Sequence, residues 1–143
     1  DHFKPPFAND KAAAASNNGA IPPDLSLITK ARHGGADYIF NVLTGYTEAP
    51  EGITLMDGQH YNKAMSGNIL AMAPPLSDGA VTYEDGSPQT VEQYAKDVAS
   101  FLTWTAEPEM EQRKRMGIKV IIFLSIFAGL MYAVKRKIWE KAH

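Results

Sequence analysis

The chain has 143 residues, of which 45% are hydrophobic and 21% charged, and its formal net charge is −2. These values exclude a disordered or collagen-like chain and limit the molecule to one domain with a short appendage. The sequence contains no cysteine, which excludes a disulfide scaffold, a thiolate metal site and a cysteine nucleophile.

The charge is divided unevenly along the chain. Residues 1–112 carry fifteen acidic and six basic side chains, for a net charge of −9, whereas residues 113–143 carry eight basic and one acidic, for +7. An acidic body repels nucleic acid and attracts a cationic protein. We therefore predict no nucleic-acid partner and a docking surface for a cationic protein.

Three short helices are predicted in the first part of the chain. Residues 9–18 are rich in alanine, a strong helix former. The second helix follows Pro22 and Pro23, with Asp24 or Ser26 as its N-cap. The third covers residues 36–43 and ends at a glycine.

The middle of the chain is dominated by glycine and proline. Residues 46–89 are predicted to be mainly loop, with one brief strand at residues 81–83. A longer helix starts at Thr90, which forms an S/T-x-x-E/Q capping box with Gln93. Pro108 ends that helix.

An apolar segment at residues 116–134 predicts a membrane-spanning helix. Lys119 is its only charge, and nineteen helical residues cover about 28 Å, close to the ~30 Å hydrocarbon core of a bilayer. Tyr132 and Trp139 suit the far interface. Because no proline interrupts residues 109–139, they are predicted to form a single helix, with the acidic body outside and the basic tail in the cytoplasm or matrix.

Met72 is the candidate metal ligand. Hydrolase and phosphate-binding motifs are absent from the sequence, and a thioether on a loop followed by Pro74 and Pro75 suits a soft metal such as haem iron. Met56 and Met65 are other sulfur candidates, and residue chemistry alone does not choose among the three.

Seven sequence blocks, in order, resemble the cytochrome c1 family, the haem subunit of the ubiquinol–cytochrome c oxidoreductase (cytochrome bc1) complex. The blocks are NNGAIPPDLSLITKARHGG, DYIF, LTGY, AMAPPL, VTYEDGSP, KDVASFL and AEPEMEQRKRMG. The similarity covers the C-terminal two-thirds of that family. It implies an all-α, cytochrome c-like haem domain with a single C-terminal transmembrane helix. The predicted division is a domain at 1–107, a connector at 108–115, the span at 116–134 and a basic tail at 135–143.

The resemblance also implies the residues of a haem site. Met72 matches the axial haem ligand, and Arg32 matches the arginine that pairs with a haem propionate. The residues that match the lining of the haem pocket are Asn17, Pro23, Leu25, Ile28, Tyr38, Leu43 and Pro75. One block departs from the family, because Met65 stands where the N-P-Y-F-x-G pattern has an aromatic residue.

The function implied by the resemblance is electron transfer from a Rieske iron–sulfur protein to a soluble or anchored cytochrome c. It implies no catalysis by the chain alone, but a redox subunit of a larger oxidoreductase that also contains cytochrome b. The expected location is a bacterial cytoplasmic or mitochondrial inner membrane, with the domain on the periplasmic or intermembrane-space side and one helix in the lipid bilayer.

The expected cofactor is haem c, although the C-x-x-C-H motif that attaches it is absent. Covalent attachment and the proximal histidine are therefore expected from an N-terminal cytochrome c1 segment. The opening residues DHFKPPF suggest a processed chain, a split polypeptide or a fragment.

Two alternatives belong to other functional classes. One is a copper-handling membrane protein that uses Met56, His60, Met65 and Met72 as ligands. The other is a haem-free structural or assembly subunit, in which Met72 only packs.

Overall fold

The computed structural model describes residues 4–140, which form two compact units that separate between Ala106 and Glu107. The first three residues of the chain and the last three of the predicted basic tail lie outside the described residues. The elements in chain order are α1 (Asp10–Ser16), α2 (Ile28–Ala31), α3 (Ala36–Thr44), β1 (His60–Tyr61), β2 (Ile69–Leu70), α4 (Val91–Ala106) and α5 (Met110–Trp139).

Helix α1 lies within the predicted residues 9–18 and is capped at both ends. The Ala12 N–H donates to the Asn9 side chain at 2.9 Å, which caps the first turn. At the other end Gly19 adopts a φ of 84° and its N–H donates to the Ala14 carbonyl at 2.8 Å. Glycine reaches this left-handed conformation without steric cost, so it ends the helix.

Helix α2 has only four residues and its predicted N-cap is wrong. The Asp24 carboxylate accepts the Ser26 N–H at 2.8 Å, in a local turn before the helix. Hydrogen bonds from Ser26 lower the pKa of Asp24. Because Asp24 is engaged two residues along the chain, Leu27 takes the N-cap position without a side-chain hydrogen bond.

The core of the first unit lies where α3 and α4 pack together, with α2 against α4. The buried residues of α3 are Ile39 and Val42. Helix α4 buries Tyr94, Ala95, Ala99 and Leu102. Ala95, Ala99 and Leu102 recur at spacings of four and three residues, as in a helix packed on one side, and the two alanines let the backbones of α3 and α4 approach closely.

The loop-rich segment contains a small hairpin that the sequence did not predict. Strands β1 and β2 are antiparallel, with His60 opposite Leu70 and Tyr61 opposite Ile69. Two-residue strands are too short to show an alternating pattern. The predicted strand at 81–83 is wrong, because the backbone of Val81 bonds to a side chain. The Tyr94 hydroxyl accepts the Val81 N–H at 3.1 Å and donates to the Val81 carbonyl at 2.6 Å.

Only half of the predicted capping box forms at the start of α4. The Thr90 hydroxyl accepts the Gln93 N–H at 3.3 Å, as predicted. The Gln93 side chain instead donates to Asp97 at 3.1 Å, one turn further along the helix. The Asp78 carboxylate accepts the Val91 N–H at 2.8 Å and provides the second cap.

Tyr83 fastens the loop before α4 to the helix. Its hydroxyl donates to the Asp97 carboxylate, and its ring lies 5.6 Å from that of Tyr94. The hydrogen bond to Asp97 is the main cause that raises the pKa of Tyr83 from 10.0 to about 12. The raised pKa indicates that the contact needs the neutral phenol.

We expect the stability due to this contact to be constant below about pH 10 and to be lost as the pH rises toward about 12. Asp97→Asn is expected to lower the pKa of Tyr83 toward 10.0, because it removes the carboxylate whose hydrogen bond, and then whose negative charge, raises that pKa. Tyrosinate absorbance during an alkaline titration measures the pKa of Tyr83. The Tyr83→Phe variant shows which part of the absorbance change belongs to Tyr83. An identical titration in Asp97→Asn would contradict the assignment.

The second unit consists mainly of α5, a 30-residue helix that is long and apolar enough to cross a membrane. It matches the prediction of a single helix over residues 109–139. An ion pair joins Arg113 to Glu107 at 2.9 Å near its start. Near its end the Lys135 ammonium lies 5.4 Å from the centroid of the Trp139 ring, in a cation–π contact. The apolar residues between these charged ends are exposed, as a lipid-facing helix requires.

Candidate functional site

The candidate site is built on residues 62–72, named here the methionine loop because it contains Met65 and Met72. Its first residue, Asn62, is fully buried. The Asn62 amide donates to the Val42 carbonyl at 2.7 Å, and its Oδ1 accepts the Ala64 N–H at 2.9 Å. Asn62 therefore fastens the start of the loop to α3.

A glycine lets the loop approach the end of α3 closely. A Cβ on Gly45 would lie 2.5 Å from the Asn41 carbonyl oxygen and 2.9 Å from the Asn62 Oδ1. The Gly45 carbonyl also accepts the Lys63 N–H at 3.0 Å. No other residue fits this position without moving backbone atoms.

Tyr46 fastens the far end of the loop. Its hydroxyl donates to the Met72 carbonyl at 3.0 Å. Burial raises the pKa of Tyr46, so the hydroxyl keeps its proton. The residue Met72 itself is 36% exposed. The Met72 backbone is thus held by Tyr46, two residues after the end of α3, while the residue remains exposed.

Met65 is held in a different way. The Tyr38 hydroxyl donates to the Met65 sulfur at 3.3 Å, and both residues are half-buried. The sulfur of Met65 is therefore engaged by a donor within the chain. The structure places Met65 beside a tyrosine, at the position where the family pattern has an aromatic residue.

Three of the predicted pocket-lining residues belong to the helical core. Ile28, Tyr38 and Leu43 are half-buried against the cluster that contains Ile39 and Leu102. They pack around α3, the helix that holds the methionine loop. Their predicted contact with haem remains a prediction.

Of the other predicted lining residues, three lie on the surface and Asn17 is half-buried. Pro23, Leu25 and Pro75 are exposed, and Asn17 donates from its side chain to the Ala20 carbonyl at 3.0 Å. Among the described residues, no hydrogen bond joins this group to the methionine loop.

Arg32 lies at the C-cap of α2 and is exposed. Its backbone N–H donates to the Ile28 carbonyl at 3.1 Å. Within residues 4–140 its guanidinium forms no ion pair. An available guanidinium at this position suits a carboxylate that comes from outside the chain.

The donor set fits a haem. A thioether is a soft ligand that suits haem iron, a guanidinium suits a propionate, and exposed apolar side chains such as Leu25 suit a porphyrin ring. The part of the chain that the structure describes contains no group of three or more His, Cys, Asp or Glu side chains that could hold a metal ion. Met72 could hold iron and Arg32 could hold a propionate, whereas Met56, the third sulfur candidate, is 71% exposed.

Asn62, Gly45 and Tyr46 were missed as site residues. Each acts through a contact with a residue distant in sequence, such as Tyr46 with Met72. Neither the spacing of apolar residues nor a search for metal-binding residue types can detect such contacts. The LTGY block contains both Gly45 and Tyr46, but it served only as a sign of resemblance.

A comparison with protein families identifies the relationship. The Cytochrome C1 family matches residues 1–142. The chain belongs to this family. The copper-handling and haem-free alternatives are not favoured, because similar proteins are named heme proteins.

Several curated relatives are similar over most of this chain. "Cytochrome b/c1" of Bradyrhizobium diazoefficiens is 52% identical over 162 residues, which cover 100% of this chain and 24% of that protein. "Cytochrome c1, heme protein, mitochondrial" of Saccharomyces cerevisiae is 53% identical, covering 97% and 45%. "Cytochrome c1 1, heme protein, mitochondrial" of Arabidopsis thaliana is 56% identical, covering 88% and 41%.

This chain spans between 24% and 48% of the length of similar curated proteins, which is less than the two-thirds expected from the resemblance. The family and the long apolar helix α5 together support a membrane-anchored protein.

Proposed function

We propose that the chain is the part of an electron-transfer subunit that supplies one axial haem ligand and the membrane anchor. The whole subunit belongs to a ubiquinol–cytochrome c oxidoreductase. The observation that carries the proposal is the methionine loop, in which the Tyr46 hydroxyl holds the Met72 backbone and the residue remains exposed. Family membership over residues 1–142 supports the same function.

The chain's own residues tune and protect the redox centre. Bound haem supplies an iron that changes between the ferrous and ferric states. The Met72 thioether is a weak ligand that favours the ferrous state and raises the potential. The Arg32 guanidinium offsets the charge of a propionate. The packed face of α3 and α4 excludes water from one side of the site.

The attachment is proposed to be of the c type, with help from outside this sequence. The 143 residues contain no cysteine. The thioether bonds to the porphyrin and the proximal histidine must then come from a C-x-x-C-H segment of the cytochrome c1 polypeptide, supplied as another part of the subunit.

The partners and the orientation are also part of the proposal. The net charge of −9 over residues 1–112 suits the approach of a basic cytochrome c, and a Rieske iron–sulfur protein is the electron donor. Helix α5 lies in the bilayer beside cytochrome b. We infer that the domain faces the periplasm or intermembrane space and that residues 135–137, after the span, face the opposite side.

Purification in mild detergent with an affinity tag on this chain tests the proposal. We expect the chain to be recovered with a polypeptide that contains C-x-x-C-H, and the sample to show the absorption bands of reduced c-type haem after addition of ubiquinol. Recovery of a colourless protein with bound copper, or of a complex without haem, would contradict the proposal in favour of one of the two alternatives.

A further inference from the structure

Two tyrosines at the two ends of α3 hold the two methionines of the methionine loop in different ways. Tyr38, in the first turn, donates to the sulfur of Met65 at 3.3 Å. Tyr46, two residues after the helix ends, donates to the main-chain carbonyl of Met72 at 3.0 Å. One contact engages a sulfur, and the other engages a backbone.

The contact to the Met72 carbonyl restricts where the sulfur can lie. A methionine side chain has three rotatable bonds, so its sulfur stays near a fixed point only if the Cα is held. Neighbouring residues Ala71 and Ala73 offer no polar side chain to hold it. Among the described residues, the bond from Tyr46 is the only side-chain hydrogen bond that reaches Met72.

Tyr46 is well placed to act as a fixed support. Its position follows Gly45, whose close approach to Asn62 joins the end of α3 to the start of the methionine loop. A backbone bridge pairs Tyr46 with Asn62. The same short segment therefore holds both ends of the loop, which limits the movement of Met72 relative to α3.

A weak axial ligand depends on such support. The bond between a thioether and haem iron is easily displaced, so its occupancy depends on how far the protein holds the sulfur in place beforehand. Freedom of the Met72 backbone lowers that occupancy and gives an added ligand more access to the iron.

We propose that Tyr46 is the positioning residue for Met72: its hydroxyl, bonded to the Met72 carbonyl, keeps the thioether in place as an iron ligand. This inference rests on the proposed function, in which Met72 is the axial ligand. The sulfur of Met65 is engaged by Tyr38, which explains how a loop with two thioethers offers only one of them to the iron.

The test is imidazole binding to the ferric c-type haem of the intact purified complex, followed by optical titration. Tyr46→Phe removes one hydroxyl and keeps the ring. Because a typical hydrogen bond contributes about 1 kcal/mol, we expect imidazole to bind roughly fivefold more tightly, with a weaker near-infrared band from the thioether–iron bond. Tyr83→Phe is the matched control, since it removes a tyrosine hydroxyl that contacts Asp97 instead. The control is expected to bind imidazole as the unmodified complex does.

The outcomes separate this inference from the proposed function. If Met72→Leu abolishes the thioether band but Tyr46→Phe binds imidazole as Tyr83→Phe does, the positioning role is overturned and the ligand assignment stands. If Met72→Leu keeps the band, the ligand assignment itself is overturned. Haem content is measured first, and Tyr46→Leu repeats the comparison without the ring, where an affinity equal to that of the control again overturns the inference.

Discussion

Replacement of Met72 by leucine is expected to lower the midpoint potential of the c-type haem by on the order of hundreds of millivolts, within the ~0.8 V range over which axial ligands act. Leucine has a similar volume and preserves the packing of the loop, but it has no sulfur to bind iron. The Tyr46 contact to the residue 72 carbonyl is retained, because that bond uses the backbone. A redox titration of the purified complex measures the change.

Met65→Leu is the matched control for this experiment. It removes a second thioether from the same loop, one whose sulfur is already engaged by Tyr38. We expect its haem potential to change by far less than that of Met72→Leu. A large fall in Met65→Leu, together with an unchanged potential in Met72→Leu, would show that the wrong methionine has been assigned.

Replacement of Asn62 by alanine is expected to destabilise the first unit by roughly 2–4 kcal/mol. The side chain is fully buried, and its loss leaves the Val42 carbonyl and the Ala64 N–H without partners. Each buried unpaired group costs about 1–3 kcal/mol. Thermal unfolding of the purified complex, followed by loss of the haem absorption, measures the effect as a lower midpoint.

Asn41→Ala provides the comparison for Asn62→Ala. Asn41 is on the same helix that Asn62 contacts, but its side chain is exposed. We expect its change in stability to stay within about 0.5 kcal/mol. Equal effects of the two substitutions would contradict the role of Asn62 as the anchor of the methionine loop.

The helices of the fold could be predicted from local patterns. Helix α4 shows the apolar spacing of a helix packed on one side, and α5 has an uninterrupted apolar run that spans a bilayer in length. The end of α1 at Gly19 follows from the freedom of glycine. These features depend on residues within one or two turns of each other.

The hairpin and the loop before α4 depend on contacts between residues distant in sequence. This is why the hairpin was not predicted and the strand at 81–83 was predicted wrongly. Strands β1 and β2 pair across seven intervening residues, with only two residues in each. Val81 resembles a strand residue, but its backbone bonds to Tyr94, thirteen residues away. Asp24 is of a residue type that often caps helices, but its carboxylate accepts the N–H of Ser26, two residues along the chain, instead of capping α2.

The sequence predicts a chemistry for the site, which stays a prediction, but it does not predict the contacts that hold the site in place. Met72 stands out because a thioether beside two prolines suits a soft metal, and the family resemblance adds Arg32. The residues that hold the loop, Asn62 and Tyr46, carry no metal-binding chemistry. Their roles follow only from contacts that the folded chain creates with Val42 and Met72.

The most direct test is a density map of the intact haem-loaded complex that resolves the sixth ligand of the c-type haem iron. The account predicts that the Met72 sulfur lies at bonding distance from the iron, with the Tyr46 hydroxyl on the Met72 carbonyl. Bonding of another side chain to the iron, or a packed protein interior beside the methionine loop in place of haem, would contradict it.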